Sequence, residues 1–540
     1  MSKIAEYLGK NLSGEVTDEL AVRRYFATDG SVLSIVPSTV IYPRTTDDIR
    51  KCVRFSWRLA EKGLALPITA RGYGADNTGS AIGSGAVMVF PAHLTKILEF
   101  DSKLKKVRVQ PGMNVRALQE AVATHGLFLP AYPANPKYAT VGGILAGNVS
   151  GPKGGKYGSI RQYTDKLEVV LSNGEVIQTG RVAKRELNAK KGLQTLEGEI
   201  YREIDALIEE NAEIIAKSTR NDLPDNTGYR LDLVKGRDGS FDLTPLLVGS
   251  AGTLAITTQA ILNLVSKPVE TALLIAALPS LDGFNDLVEA LNGYGPSELK
   301  FIDGAAVKWV EETTGVNTLG EMTKGDPAGV LIVEFDDGDG HKSKSARKVM
   351  KMLDEFGAAV ELAETQEDKE DIWAAAGILG TATNHYAHGL RPVEFGDAVV
   401  PAGKLAMFHE KLTELVDRRK ITGLISGNVG VGNLGVTALL NLDKTGDRQA
   451  VFGFARDYYK LVGKLGGSIA GDSSDGRLRI AAAQGQYNDE MLGLYEKVKE
   501  IFDPKNILNP GVIVGTAEDE LIPLLASDVQ PRFLDYRPRV

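Results

Sequence analysis

The sequence predicts an α+β protein with more than one domain. The chain has 540 residues, more than a single hydrophobic core usually serves, so two or three domains are expected. Strands, glycine turns and helices alternate from residue 31 to about Pro268, where a second pattern of strands and helices begins. The first of these units contains two glycine clusters, at residues 70–83 and 140–158. The candidate binding loops therefore lie in the first unit, and a separate α+β unit follows it.

The first glycine cluster follows an apolar run and reads ARGYGADNTGSAIG from Ala70 to Gly83. Gly72, Gly74 and Gly79 remove side chains where a ligand would contact the main chain, and glycine adopts positive φ without steric cost. Successive N–H groups in such a loop form an anion-binding nest, which suits a pyrophosphate. Taken alone, the stretch is equally compatible with a glycine-rich hairpin between strands.

The second cluster reads TVGGILAGNVSG from Thr140 to Gly151 and continues as PKGGKYG to Gly158. Two ligand-cradling loops in one domain favour a long ligand that is held at two places, such as a dinucleotide. The glycine spacing does not match the nicotinamide-type Rossmann fingerprint, which also needs an acidic residue about 20 positions further on. The chain has no GxxxxGK[ST] stretch, so an ATP-type phosphate loop is excluded.

Five stretches occur in a recognisable order. They are SVLSIVPSTVIYP (residues 31–43), the loop 71–83, the segment 140–158, LLVGSAGTLAI (246–256) and DPKNILNPG (503–511). In this order they resemble flavoproteins of the vanillyl-alcohol oxidase superfamily, in the branch of D-lactate dehydrogenase and the glycolate oxidase large subunit. The resemblance covers residues 20 to 515, although Ala251 stands where the family usually has glutamate.

The resemblance implies a PCMH-type FAD-binding domain of two α+β subdomains, joined to an FAD-linked oxidase C-terminal domain with a ferredoxin-like α+β cap. The expected boundaries are a helical lead-in (1–30), the FAD-binding domain (31–268), a substrate or cap domain (269–470), a return to the FAD domain (471–515) and a tail (516–540).

FAD is the cofactor that the resemblance implies. The residues expected to bind it are Pro43, Arg71, Gly72, Tyr73, Gly74, Ala75, Asp76, Asn77, Thr78, Gly79, Pro133, Thr140, Gly142, Gly143, Asn148, Ser150, Gly151, Tyr157, Gly158, Gly252, Ile256 and Asn509. The family's covalent flavin tether is usually a histidine in the pyrophosphate loop, and Ala75 occupies the matching position. Non-covalent FAD is therefore expected.

The metal and carboxylate-binding motifs of the family are altered. Metal-dependent hydroxy-acid members carry HxxDGNxH and SGEHGxGR, where this chain has NVGVGNLG (428–435) and AGDSSDGR (470–477). Both histidines of the first motif are missing, and Ser473 replaces the histidine of the second. The usual WxxR arginine is also absent, since Trp373 is followed by three alanines. With too few ligands left, no metal site is expected.

Hydride transfer from an alcohol carbon to a flavin needs a base for the hydroxyl proton. The candidate catalytic residues are His388, Arg391, Asn433, Asp472 and Arg477. An imidazole such as that of His385 or His388 titrates near neutral pH and could accept this proton. The other interpretation of the segment NHYAHGLR (384–391) is an exposed loop with incidental histidines.

Composition limits the partners. The net charge of −8 and the absence of a long Lys/Arg block argue against nucleic-acid binding. No apolar run reaches the roughly 18 residues of a membrane span, and the N-terminus does not resemble a secretory signal. The single cysteine, Cys52, excludes disulfides within the chain and lies on the apolar face of a predicted helix. A cytoplasmic protein is expected, with peripheral membrane association and a homodimer left open.

Two functions remain open from the sequence. The first is an FAD-dependent dehydrogenase that oxidises a small hydroxylated molecule other than a simple α-hydroxy acid, for example a sugar or polyol derivative. It would pass electrons to an unknown acceptor: a quinone, a cytochrome or an electron-transfer protein. The second is a flavin-binding subunit without turnover, which serves in binding or assembly.

Acid precipitation of the purified protein is expected to release all of its FAD into the supernatant, because Ala75 replaces the tethering histidine. The measurement is flavin absorbance in the supernatant and in the washed pellet. Flavin that stays with the denatured pellet would contradict this expectation.

Overall fold

The computed structural model describes residues 2–220, 222–314, 326–336, 342–385, 390–479 and 489–526. Within these ranges the chain forms an α+β protein with three larger sheets. Two of them build the first unit and the third builds the cap, which confirms the predicted fold class.

The first sheet is mostly parallel. Its strands are β1 (Glu15–Thr17), β2 (Thr39–Tyr42), β3 (Ile68–Arg71) and β4 (Ala86–Val89), in the order β1-β2-β4-β3. Strands β2, β3 and β4 are parallel, and β1 is antiparallel to β2. β2 and β4 are buried along their whole length, as expected for apolar strands that are covered on both faces.

The helices of this subdomain are α1 (Lys3–Asn11), α2 (Leu20–Tyr25) and α3 (Thr46–Ala60). Thr45 caps α3 by accepting the Asp48 N–H at 3.1 Å. Cys52 is buried on this helix, as predicted, and burial raises the pKa of its thiol. The segment before residue 31 was expected to be a helical lead-in. It also contributes β1, which joins the first sheet.

The second sheet is antiparallel. Its strands are β5 (Ile97–Asp101), β6 (Lys106–Val109), β8 (Thr164–Val170), β9 (Val176–Gln178) and β10 (Ile256–Asn263), in the order β5-β6-β10-β8-β9, while β7 (Leu127–Phe128) pairs with β11 (Val265–Ser266). The predicted hairpin is β8–β9, with Gly174 in its turn at φ +87°.

The helices of the second subdomain are α4 (Val115–Ala123), α5 (Val141–Gly147), α6 (Gly154–Tyr157), α7 (Lys184–Lys191), α8 (Leu196–Glu210), α9 (Ala212–Ser218) and α10 (Thr244–Leu247). Asn114 caps α4 as predicted, since its side chain accepts the Ala117 N–H.

The cap contains one antiparallel sheet. Its strands are β12 (Ala272–Leu278), β13 (Glu298–Asp303), β14 (Gly329–Phe335), β15 (Ala359–Leu362), β16 (Arg391–Phe395), β17 (Thr422–Asn428) and β18 (Gly435–Leu440), in the order β15-β12-β14-β13-β17-β18-β16. The first four strands in this order are the fourth, first, third and second along the chain. That is the ferredoxin-like arrangement. The sequence pattern did not predict β13.

The cap helices are α11 (Phe284–Asn292), α12 (Gly304–Thr314), α13 (Lys342–Glu355), α14 (Gln366–His385), α15 (Leu405–Arg419) and α16 (Thr445–Lys464). The chain then returns through α17 (Asp489–Phe502) and the short α18 (Glu518–Leu521). Val32, Leu33 and Ile82 of the first unit pack in the same apolar core as the cap, so the two units share buried surface.

A buried ion pair attaches the returning helix to the first unit. Lys499 on α17 donates to the Asp503 carboxylate at 2.6 Å and to the carbonyl oxygens of Thr253 and Leu508 at 2.8 and 2.7 Å. Asp503 in turn accepts the N–H groups of Ile507 and Leu508. These contacts hold the C-terminal motif against the first unit.

Lys499→Met is expected to lower the free energy of unfolding by about 3–5 kcal/mol, because it leaves the buried Asp503 carboxylate without its cation. Urea unfolding followed by fluorescence measures this change. Lys497→Met on the exposed face of the same helix is the control and should change stability by about 0.5 kcal/mol or less. Equal effects of the two substitutions would contradict a structural role for the Lys499 pair.

Candidate active site

A cavity of about 260 Å³ lies where the two subdomains of the first unit meet and extends to the C-terminal part of the chain. The first glycine loop, helix α5 and the segment before β10 form most of its wall. The lining residues are Ala70–Asn77, Ser80, Ala81, Phe90, Pro111, Pro133, Tyr138, Ala139, Thr140, Gly142, Gly143, Ile144, Ala146, Gly147, Val149, Leu247, Ser250, Ala251, Gly252, Ala255, Ile256, Thr257, Asp397, Asp472 and Ser473. Both glycine clusters therefore face one space.

Three glycines leave no room for a side chain at this wall. A Cβ on Gly72 would lie 2.3 Å from Thr140 Oγ1, and one on Gly142 would lie 2.8 Å from the Pro111 Cβ. Gly74 has φ +72°, and its Cβ would lie 2.2 Å from the Arg71 guanidinium. Packing against neighbouring side chains therefore requires glycine at these three positions, which leaves main chain at the wall.

The first loop presents amide donors to the cavity. Asp76 accepts the N–H groups of Thr78 and Ser80 and so folds the loop back on itself. The N–H groups of Gly72, Tyr73, Ala75 and Asp76 make no hydrogen bond with the part of the chain that the structure describes. Unpaired amides on a cavity wall are donors for an anionic ligand, and a pyrophosphate fits them.

Arg71 ends β3 directly before this loop. Its guanidinium donates to the carbonyl oxygens of Phe26, Thr28 and Ala81. Its charged group therefore supports the loop backbone. Ala75, at the position of the family's tethering histidine, is exposed and lines the cavity.

The remaining residues predicted to bind FAD do not line the cavity. They are Pro43, Thr78, Gly79, Asn148, Ser150, Gly151, Tyr157, Gly158 and Asn509.

The polar side-chain groups of two of these residues, Asn148 and Tyr157, are bonded to other parts of the protein. Asn148 ends α5 in the left-handed conformation, and its side chain is bonded to Asn226 and to the Arg161 N–H. The Tyr157 hydroxyl donates to Asp336 of the cap at 3.1 Å. Neither residue lines the cavity, and both bond to neighbouring parts of the protein.

Asp472 is the candidate catalytic residue that reaches the cavity. Its Oδ1 accepts the Gly151 N–H at 2.7 Å, and its carbonyl oxygen accepts the Ser150 N–H at 3.2 Å. Burial, together with the negative charge of Asp397, raises the pKa of the Asp472 carboxyl to about 6. Asp472 can therefore change its charge just below neutral pH.

The other candidate catalytic residues lie elsewhere. The side chain of Asn433 accepts the Asn428 N–H of its own turn and donates to the carbonyl oxygen of Ala398, 35 residues away in the chain. Arg477 is buried and donates to the carbonyl oxygen of Ile82, and burial lowers its pKa to about 10. Arg391 begins β16 at the edge of the cap sheet, and His388 lies outside the described residues.

Sequence reasoning missed Asp397, which lines the cavity, and its partner Arg479, which does not. Asp397 lines the cavity and accepts hydrogen bonds from Ser473 and from Arg479, the latter at 2.5 Å. Asp397 lies in PVEFGDAVVP (392–401), a stretch that resembles the family's EDVAVP segment at the flavin edge, and this signal could have identified it. Arg479 lies two residues beyond a motif and carries no local signal.

The described residues contain no group of three or more His, Cys, Asp or Glu side chains that could hold a metal ion. Asn428, which begins the stretch NVGVGNLG, donates to the carbonyl oxygen of Pro152 at 2.7 Å. Within the same described residues, no helix is both long and apolar enough to span a bilayer.

The cleft between the two α+β subdomains, with its free amides, suits a phosphate-bearing ligand such as a dinucleotide. Family models agree with this. The FAD binding domain matches residues 37–180, and the C-terminal domain of FAD linked oxidases matches residues 267–513.

Characterised relatives are similar over most of the chain. The glycolate oxidase subunit GlcD of Bacillus subtilis is 28% identical over 482 residues, which cover 88% of this chain and 88% of that protein. D-lactate dehydrogenase of Archaeoglobus fulgidus is 27% identical over 482 residues, covering 88% and 91%. D-2-hydroxyglutarate dehydrogenase of Haemophilus influenzae is 27% identical over 544 residues, and this match spans 96% of the chain but only 52% of that protein.

Solved structures share the fold. The 4-ethylphenol oxidase of Gulosibacter chungangensis superposes with a TM-score of 0.68 at 16% identity, covering 94% of this chain and 96% of that one. For p-cresol methylhydroxylase the TM-score is 0.69 at 14% identity, with 95% of each chain covered. The protein shares the fold of these enzymes and is an FAD-dependent oxidoreductase with an FAD binding domain and an FAD-linked oxidase C-terminal domain.

Gly74→Ala is expected to reduce the FAD content of the purified protein at least tenfold, because the new Cβ strains the left-handed backbone and meets the anchored Arg71 guanidinium. The measurement is the ratio of flavin to protein absorbance. Gly126→Ala is the matched control, since Gly126 has φ +68° but no atom within 4 Å of the added Cβ. Full flavin occupancy in Gly74→Ala would mean that this glycine serves only the turn.

Proposed function

We propose that the protein oxidises the CH–OH group of a small molecule with FAD bound in the cavity, and that Asp472 accepts the hydroxyl proton. The position of Asp472 carries this proposal: an ionisable carboxyl on the wall of the cavity, beside loops suited to the cofactor. Residues 269–470 then serve as the substrate domain that closes over the site.

The FAD site would consist of the free amides of the first glycine loop together with the small residues at the start of α5 and before β10. The lining position of Gly72, Gly74 and Gly142 supports this assignment, because main chain without side chains faces the cavity there. When bound, FAD supplies the acceptor for the hydride that leaves the alcohol carbon.

Asp472 is suited to take up the hydroxyl proton. The Gly151 N–H fixes one carboxylate oxygen, while Oδ2 accepts no hydrogen bond from the described residues and remains available to a ligand. With its pKa raised to about 6, the carboxylate is mostly ionised at neutral pH yet more basic than an ordinary aspartate. The names of the relatives, a glycolate oxidase subunit and a D-lactate dehydrogenase, support oxidation at a CH–OH group.

The electron acceptor stays a prediction: a quinone, a cytochrome or an electron-transfer protein. An anaerobic screen of hydroxylated compounds, with flavin bleaching as the signal, tests whether the protein turns over. If none of a broad set of alcohols, sugars and hydroxy acids bleaches the flavin, the protein is a flavin-binding subunit without turnover and the proposal is wrong.

With a substrate from that screen, the rate of flavin reduction is expected to rise with pH and to reach half of its maximum near pH 6. The reason is that Asp472 must be ionised to accept a proton, and its pKa is raised to about 6. Asp472→Asn should lower the rate by about 10²- to 10⁴-fold, the usual contribution of a general base.

Asp443→Asn, a change of the same kind at an exposed position on the cap, is the control and should leave the rate unchanged. A pH-independent rate, or an Asp472→Asn variant as fast as the parent, would exclude Asp472 as the base.

A further inference from the structure

Resting on the proposed function, we propose that the buried ion pair of Asp397 and Arg479 positions Asp472 and controls how readily its carboxylate takes up the hydroxyl proton. The two residues of the pair bond to the chain on both sides of Asp472 and leave its own carboxylate to the cavity. They are therefore positioning residues, and their opposite charges act on the Asp472 carboxylate in opposite directions.

The main chain that leads to Asp472 is fixed to the cap. Val399 and Ser468 exchange two main-chain hydrogen bonds of 2.8 Å each. Three residues further on, the Gly471 N–H donates to the carbonyl oxygen of Asp397 at 2.5 Å. A Cβ on Gly471 would lie 2.3 Å from Val399 Cγ1, so the two segments are in close contact. Asp472 thus directly follows a short antiparallel pairing that ends at Asp397.

Beyond Asp472, side chains hold the chain in place. The Arg479 guanidinium donates to Asp397 Oδ2 at 2.5 Å, and the Ser473 hydroxyl donates to the same oxygen. Arg479 also donates to the carbonyl oxygen of Ser474 at 3.1 Å, and its side chain is only 4% exposed. The residue before Asp472 and the two residues after it are thus all bonded to this one pair.

The Asp472 carboxylate makes no hydrogen bond to either member of the pair. Its Oδ1 accepts the Gly151 N–H at 2.7 Å, and Oδ2 has no donor among the described residues. The neighbours of Asp472 are therefore held firmly while one carboxylate oxygen stays free. A general base needs this combination, because it must stay in place and still reach the proton of a ligand.

The pair also acts on Asp472 through charge. Burial is the main cause of the raised pKa of the Asp472 carboxyl, and the negative charge of Asp397 raises this pKa further. The N–H groups of Gly151 and Ser150 and the positive charge of Arg479 lower it. The two charges of the pair oppose each other at Asp472, so loss of either partner shifts the pKa in the direction that the other partner favours.

Other ionisable groups of the described chain also interact with the pair. They are Glu394 on β16, Tyr458 and Tyr459 on α16, and Asp475 on the returning chain. Burial raises the pKa of each of these groups, that of Asp475 to about 7. Because Asp475 titrates close to Asp472, the signal of Asp472 has to be assigned by substitution.

The test is a pH titration of the FAD-loaded protein, followed by the infrared absorption of protonated carboxyl groups. The band that disappears in Asp472→Asn reports the protonation of Asp472 without any substrate. Its midpoint is expected near pH 6 in the parent protein. It should rise by about 1 pH unit in Arg479→Gln and fall by about 1 pH unit in Asp397→Asn. The double variant lacks both charges and should return to within about 0.5 pH unit of the parent.

A purely structural role predicts a different result, because both single substitutions break the same ion pair and would act alike. Shifts in the same direction, or no shift in either variant, overturn the proposal. Arg181→Gln and Asp238→Asn break an exposed pair of the first unit from either side and are the controls, which should leave the midpoint unchanged. If Arg479→Gln does not retain FAD, the midpoint must still fall in Asp397→Asn and return in the double variant.

Turnover gives a separate measurement. With a substrate from the anaerobic screen, the pH of half-maximal flavin reduction should move with the infrared midpoint in each variant. Arg479→Lys keeps the charge without the forked donors, so it should keep the midpoint and slow flavin reduction about tenfold or more. An Arg479→Lys variant as fast as the parent would exclude the positioning role. Opposite infrared shifts with no matching change in flavin reduction would contradict only the proposed function, in which Asp472 is the base.

Discussion

The side chain of Asn509 is the contact on which the cavity depends. It is 1% exposed, and its Nδ2 donates to the carbonyl oxygens of Ser80 and Ala251 at 2.8 Å each. Its Oδ1 accepts the Thr69 hydroxyl at 3.1 Å, and its main-chain N–H donates to Ile68. Asn509 thus joins the start of β3, the first glycine loop, the segment before β10 and the C-terminal motif DPKNILNPG (503–511). The buried Lys499–Asp503 pair holds the same motif in place from its other side.

In this arrangement the free amides and the carboxylates lie on different parts of the cavity wall. The first unit supplies a wall of bare main chain and free amides, which suits a phosphate-bearing cofactor and carries almost no ionised side chain toward it. Charge enters at the other end, where Asp397 and Asp472 reach the cavity. Asp472 also connects the two parts, because it accepts the N–H groups of Ser150 and Gly151 in the second glycine cluster.

Local patterns predicted what depends on local chemistry. The glycine loops, the capped helix α4, the β8–β9 hairpin and the ferredoxin-like order of the cap all follow from short-range signals that the structure confirms. The motif that contains Asp472 also placed that residue at the cavity.

Local sequence patterns do not show partners that are distant in sequence. The ion pair of Arg479 with Asp397 spans 82 residues, and no sequence pattern near either residue predicts this pairing. Asn433 belongs to a recognisable motif, yet its side-chain amide is bonded to Asn428 and to Ala398, the latter 35 residues away. Tyr157 was expected at the cofactor, but its hydroxyl bonds to the cap residue Asp336. Sequence motifs identify such residues without showing which of their atoms remain free for a ligand.

The central claim is that one cavity holds FAD through the free amides of the first glycine loop and meets the substrate at Asp397 and Asp472. Hydrogen–deuterium exchange of the apoprotein and the FAD-loaded protein tests it most directly. FAD is expected to slow exchange at residues 72–76 and 250–257, and a bound substrate should add protection at 396–398 and 472–474. If FAD leaves the 72–76 amides exchanging at their apoprotein rates, or if the substrate protects neither C-terminal segment, the claim is contradicted.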